Sequence, residues 1–332
     1  MKIFSKTTIT AVLLLFVLAG SSFGLYKVVF EKTEKQPPRI LVVLKNIDES
    51  MEFWQITKAG IDVAAREFDV AVEVIGAPAE SDISGQIQVV EERLKGKDHL
   101  DAVVMAAADY TALVPVAERI KAKGIPLITI DSALNSNIPQ SFIATDNTAA
   151  GRKAGEMLGE LLSAGSHVAI ISHVKGASTA IEREQGVKLG LGEAFKEKLV
   201  GTYFCDGIQE KAYEIVKELL KKDKEIGGIA GLNETSTLGA AKAIKELGLS
   251  GKIKLVGFDN SIPEVKLIEE GVIQGTVVQK PFSIGYLGIK TAVQVLKGKT
   301  VEKRIDTGSQ IITKQNMYTI ENQKLLFPFV DR

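Results

Sequence analysis

GIPLITIDS (124–132) and GKIKLVGFDN (251–260) follow one order: a glycine, a mostly apolar run, then an aspartate with a small polar residue after it. Each reads as a turn, a strand buried on both faces and a loop that carries a carboxylate off the strand's end. In open parallel sheets, ligands sit outside the carboxyl ends of the strands, so Asp131 and Asp259 are each delivered to a binding edge. The repetition implies two similar α/β halves, whose edges frame one cleft if they face each other.

The surrounding chain keeps the same rhythm. Short apolar, often β-branched runs recur at 40–44 (ILVVL), 71–75 (AVEVI), 102–106 (AVVMA), 126–130 (PLITI), 167–171 (HVAII), 227–232 (GGIAGL), 253–258 (IKLVGF) and 273–278 (IQGTVV). Between them lie amphipathic stretches such as 53–68, with Phe53, Ile61, Ala64 and Phe68 on one face, and 207–222, rich in Glu, Lys and Leu. Strand and helix in alternation predict parallel, doubly wound α/β sheets. A chain of 332 residues that is 45% hydrophobic is long enough for two such cores.

Composition excludes several functions. Lys plus Arg and Asp plus Glu both number 41, so there is no basic excess to neutralise a nucleic-acid backbone. The single cysteine, Cys205, allows neither an internal disulfide nor a cysteine metal cluster. His99, His167 and His173 are scattered and have no serine or cysteine motif beside them. GKT at 298–300 lacks the glycine of a phosphate loop, because Val293 stands in its place, and it follows a helical stretch rather than preceding one. Neither enzyme activity, cofactor nor metal is expected.

At the N-terminus Lys2 and Lys6 precede an uncharged, apolar stretch from Thr7 to Tyr26. As a helix it would extend roughly 30 Å, the thickness of a bilayer's hydrocarbon core. Ala19, Gly20, Ser21 and Ser22 offer a small-residue cleavage site, but the apolar character resumes through Phe23 to Tyr26. We read 7–26 as an uncleaved membrane anchor, with a cleaved export signal as the alternative. No cysteine lies near its end to carry a lipid. The charged, proline-ended stretch 31–38 (EKTEKQPP) suits an extended tether, so the folded part begins near Arg39, outside the cytoplasm.

Over roughly residues 39–320 the chain resembles the ribose and galactose type of periplasmic sugar-binding proteins, whose fold also serves as the effector domain of LacI-type repressors. The resemblance rests on GIPLITIDS, FIATDN (142–147) followed by AAGRKAGEML, IEREQG (181–186), GLNETSTLGAAKAI (231–244), LVGFDN (255–260) and GTVVQKPFSIGYLGI (275–289), in that order. It implies two Rossmann-like lobes, 39–146 with 280–308 and 147–279 with 309–332, joined by three crossing strands that act as a hinge. It also implies a monosaccharide held by Phe53, Trp54, Asp131, Arg183, Asn233, Asp259 and Gln279, with Met51, Ser132, Cys205 and Glu234 as secondary candidates. Ser132 stands where ribose binders carry an arginine, Cys205 where an aromatic is usual and Met51 where an asparagine often lies, which puts ribose itself in doubt. A sugar needs directional donors and acceptors for its hydroxyls and an aromatic plane for its C–H face, and these residues supply both.

Plainer readings stand beside these. Phe53 and Trp54 would pack at a helix start; Asp131, Asn233 and Asp259 would cap helices. Arg183, between Glu182 and Glu184, would join a solvated charge network. The partners implied are a transport permease of the ABC type or a membrane sensor kinase, with furanone-type or inositol-like signals as alternative ligands. A repressor would need a DNA-binding headpiece before residue 40, where this chain has its apolar segment.

Overall fold

A computed structural model describes residues 36–327 apart from 49, 50 and 97. The apolar segment 7–26 therefore lies outside the described residues, and among those described no helix is long and apolar enough to cross a membrane.

The chain first lays down β1 (Arg39–Leu44), α1 (Glu52–Phe68), β2 (Ala71–Gly76), α2 (Ile83–Lys95), β3 (Ala102–Met105), α3 (Val114–Ala122), β4 (Leu127–Ile130) and β5 (Ser141–Ala144). It then builds α4 (Asn147–Leu161), β6 (His167–Ser172), α5 (Ser178–Leu191), β7 (Leu199–Phe204), α6 (Gln209–Lys222), β8 (Ile226–Gly231), α7 (Glu234–Glu246), β9 (Lys254–Phe258), α8 (Ile262–Glu269) and β10 (Gly275–Val278). The end of the chain adds α9 (Pro281–Leu296), β11 (Arg304–Asp306), β12 (Gln310–Thr313) and α10 (Ile320–Leu326).

Two six-stranded sheets result, in the orders β11-β5-β4-β3-β1-β2 and β12-β10-β9-β8-β6-β7. Strand order reverses beside the first strand of each, the arrangement that opens a crevice at the strands' carboxyl ends. The chain passes from one sheet to the other after β5, after β10 and after β11, giving two lobes with three connections. Ile40 to Leu44 and Ala102 to Met105 are fully buried, as strands covered by helices on both faces must be. The expectation of wholly parallel sheets needs one correction: β12 runs antiparallel to β10 at the edge, because it returns directly from β11 without a crossover helix. Edge strands β7 and β11 and the short β5 carried too little apolar pattern to read as strands.

In the second lobe α4 and α5 touch backbone to backbone. A Cβ on Gly151 would meet the Arg183 carbonyl oxygen at 2.3 Å, and one on Gly186 would meet that of Thr148 at 2.2 Å. These glycines set the depth at which Arg183 enters the space between the lobes. In the first lobe Gly60 and Gly285 let α1 and α9 approach in the same way.

Candidate functional site

Asp131 and Asp259 both lie one residue beyond a buried strand, with left-handed backbone (φ 57° and 78°). Each amide donates to the neighbouring strand, Asp131 to Ile143 O at 2.9 Å and Asp259 to Val277 O at 3.0 Å, so each side chain leaves the sheet edge toward the other lobe. Neither caps the helix that follows it in the chain, although Asp259 Oδ2 accepts Glu234 N–H at the start of α7 (3.0 Å). Asp131 is followed by a loop into β5, and the cap of α8 is Ser261, paired with Glu264.

Between these edges lies a small cavity of about 20 Å³ lined by Lys45, Met51, Phe53, Trp54, Glu80, Asp131, His173, Thr179, Arg183, Asn233, Asp259 and Gln279. That is far below the roughly 300–1,000 Å³ of small-molecule pockets, so the lining side chains nearly fill the space between the lobes and a ligand is admitted only as they part. All seven main sequence candidates line it, as does Met51. Ser132, Cys205 and Glu234 do not. Ser132 turns its hydroxyl back to Asp131 Oδ2 (2.9 Å), Cys205 packs in the second lobe's core, and Glu234 faces α1.

Arg183 is buried, so the solvated-network reading fails: its Nε donates to Asn147 Oδ1 (2.8 Å), its Nη1 to Leu232 O (2.7 Å), and its guanidinium lies 4.6 Å from the Phe258 ring centre. Glu184 pairs instead with Lys188. Asn233 does cap α7, its Oδ1 accepting from Ser236 N at 3.0 Å, while its amide still borders the cavity. Gln279 joins β10 to α9 and donates from Nε2 to Asp259 Oδ1 at 2.7 Å. Phe53 and Trp54 meet edge to face at 5.0 Å, and the indole Nε1 donates to Glu80 Oε1 at 2.9 Å.

Four lining residues were missed. Lys45 directly follows β1, with its Nζ 2.7 Å from Asp131 Oδ2, both side chains 4% exposed, and 5.8 Å from the Trp54 ring centre. It also reaches Thr179 Oγ1 across the lobes at 3.5 Å. His173 shares a 2.9 Å hydrogen bond with Thr179 through Nε2 and leaves Nδ1 buried and unpartnered. Burial, reinforced by the Arg183 and Lys45 charges, holds the His173 pKa well below the usual histidine range, so the ring is neutral. Burial pushes the Glu80 carboxyl up, against the pull of Lys45 and the Trp54 hydrogen bond. Burial likewise raises Asp259, opposed by Arg183 and Gln279. A strand-end lysine followed by a short polar loop was the one available signal for Lys45.

The lobes also meet around the cavity. Ala133 N donates to Ser178 Oγ (2.8 Å), Tyr110 N to Gly176 O (2.9 Å) and Ile262 N to Glu52 Oε1 (3.2 Å). The site is thus an enclosed pocket of paired charges, amides and one aromatic corner. It offers directional hydrogen bonds on several sides and no positioned nucleophile or metal-ligand cluster among the described residues.

The periplasmic binding protein domain matches residues 40–300. The D-allose-binding periplasmic protein of Escherichia coli is 32% identical over 271 residues, covering 78% of this chain and 85% of that protein. The D-ribose/D-allose-binding protein of Pseudomonas aeruginosa is 29% identical over 313 residues, 92% of this chain and 95% of its own. Among solved structures, a carbohydrate transporter solute-binding protein from Agrobacterium radiobacter, in complex with D-arabinose, superimposes with a TM-score of 0.82 at 34% identity, covering 88% of this chain and all of that one. Fold and sequence therefore agree: this chain belongs to the periplasmic binding proteins, a family of extracytoplasmic binding proteins rather than enzymes.

Proposed function

We propose that this protein binds one monosaccharide between its two lobes, 39–146 with 280–308 and 147–279 with 309–332, and closes on it for uptake by an ABC-type sugar transporter. The observation that carries this reading is the composition of the cavity wall. Opposed carboxylates (Asp131, Asp259), cations (Lys45, Arg183) and amides (Asn233, Gln279) surround a pocket with an aromatic corner at Phe53 and Trp54. Hydroxyls pair with the first three groups and the ring's C–H face with the aromatic one. Relatives named for D-allose and D-ribose binding, and a structural neighbour in complex with D-arabinose, support a pentose or hexose as the ligand.

Ligand contacts to both lobes stabilise the closed form relative to the open one, which is the whole of the mechanism: binding shifts a population that a membrane partner then reads. The apolar segment 7–26 and the charged tether after it favour a receptor held at the membrane. A short tether keeps the receptor near the bilayer, which supports a second reading, presentation of the sugar-loaded form to a sensor kinase.

Calorimetric titration of the full chain with D-ribose, D-allose, D-arabinose, D-galactose, myo-inositol and a furanone tests the ligand class. One of the sugars is expected to bind with one site per chain. Heat from inositol or the furanone alone, or from none of them, contradicts the proposal.

A further inference from the structure

Glu234 opens α7, and its carboxyl crosses between the lobes to accept the Phe53 N–H in the first turn of α1. The next-door Glu52 makes the opposite crossing, accepting Ile262 N–H at the start of α8 at 3.2 Å. Two glutamates thus exchange helix N-termini across the seam, where carboxylates are favoured. Their surroundings differ. Glu52 sits at a solvent-exposed contact, whereas Glu234 is buried and leaves Oε2 without a partner.

The titratable groups facing Glu234 are acidic on each packed element: Glu52 from α1, Glu80 from the loop after β2, Asp259 beyond β9 and Glu264 from α8. Glu264 caps α8 with Oε2 and likewise leaves Oε1 buried and unpartnered. The cavity's cations act on the neighbours, Lys45 on Glu80 and Arg183 on Asp259.

We propose that Glu234 is a positioning residue that holds the aromatic corner of Phe53 and Trp54 from the opposite lobe, and that it takes up a proton as the lobes close. The inference rests on the sugar-binding reading. Burial, then the charges of Asp259 and Glu52, push its carboxyl up to about 8 in the closed form. Opening returns the group to water and removes Glu52 and Glu80, which lowers its carboxyl toward the ordinary glutamate value of about 4.3. The closed form holds the proton more tightly, so sugar affinity is greatest below the open-form value. It falls by up to about tenfold per pH unit as the pH rises toward the closed-form value, then levels.

The test is calorimetry of the full chain at pH 7 with D-ribose or D-allose, in buffers of different ionisation enthalpy. The wild-type protein is expected to take up about one proton per sugar bound. Glu234→Gln keeps an acceptor for Phe53 N–H and is expected to bind with markedly smaller uptake and a flatter dependence of affinity on pH from 6 to 9. Glu234→Ala removes the acceptor and should red-shift the emission of the sugar-bound form, which the sole tryptophan, Trp54, reports. Binding without uptake, equal uptake in the Gln variant, or unshifted emission in the Ala variant overturns this inference alone. Absence of binding by the wild-type protein overturns the sugar-binding reading and this inference with it.

Discussion

Asp131 in the first lobe and Asp259 in the second occupy equivalent strand ends, share the left-handed backbone and make the same amide hydrogen bond to the next strand. They are neutralised in different ways. Asp131 forms a buried ion pair with Lys45 at 2.7 Å and accepts the Ser132 hydroxyl. Asp259 accepts only neutral donors directly, Gln279 Nε2 at 2.7 Å and Glu234 N–H at 3.0 Å, and Arg183 acts on it without an ion-pair contact. The repeated motif fixes where the carboxylate points; side chains from elsewhere in the chain decide how it is held. Aspartate tolerates the left-handed region better than most residues, yet such a conformation still costs of order 1–3 kcal/mol. Its presence at both edges is therefore supported by the surrounding contacts.

The comparison predicts unequal responses to mutation. Asp131→Ala strands the Lys45 ammonium in the closed cavity and should weaken sugar binding by about 3–5 kcal/mol, the cost of breaking a buried pair from one side. Titration calorimetry reads this directly. Replacing both partners, Lys45→Met with Asp131→Leu, should restore the melting temperature while binding stays lost, separating charge burial from ligand contact. Asp259→Asn removes the charge facing Arg183 and keeps one acceptor oxygen, so one of the two neutral donors, Gln279 Nε2 or Glu234 N–H, loses its partner. A smaller loss of about 1–3 kcal/mol in affinity is expected. Equal losses at the two aspartates would break the comparison. Trp54→Phe keeps an aromatic face and deletes the Glu80 hydrogen bond, for an expected loss of about 1 kcal/mol.

Much of this was legible in the sequence because buried parallel strands are nearly continuous apolar runs, and the two aspartates terminate such runs. The Arg183 position followed from the resemblance, and its burial was decided by glycines on α4 and α5 that only packing reveals. Lys45 was not legible: a lysine at a strand end reads as solvated, and its buried partners, Asp131 and, on the other lobe, Thr179, lie 86 and 134 positions away. Glu80 sits in a loop without periodicity, and His173 resembled any lone histidine until Thr179 was placed beside it. Ser132, Cys205 and Glu234 failed as lining residues for a local reason. Ser132 and Glu234 each adjoin a residue that does face the cavity, and successive side chains along the chain point in different directions, while Cys205 packs into the core.

The crystal structure of the protein with its bound sugar tests the central claim most directly. The account predicts one sugar in the cavity, with hydroxyl oxygens within hydrogen-bonding distance, about 2.5–3.0 Å, of carboxylate oxygens on both Asp131 and Asp259. A sugar bound outside the space between the lobes, or touching only one of the two aspartates, would contradict it.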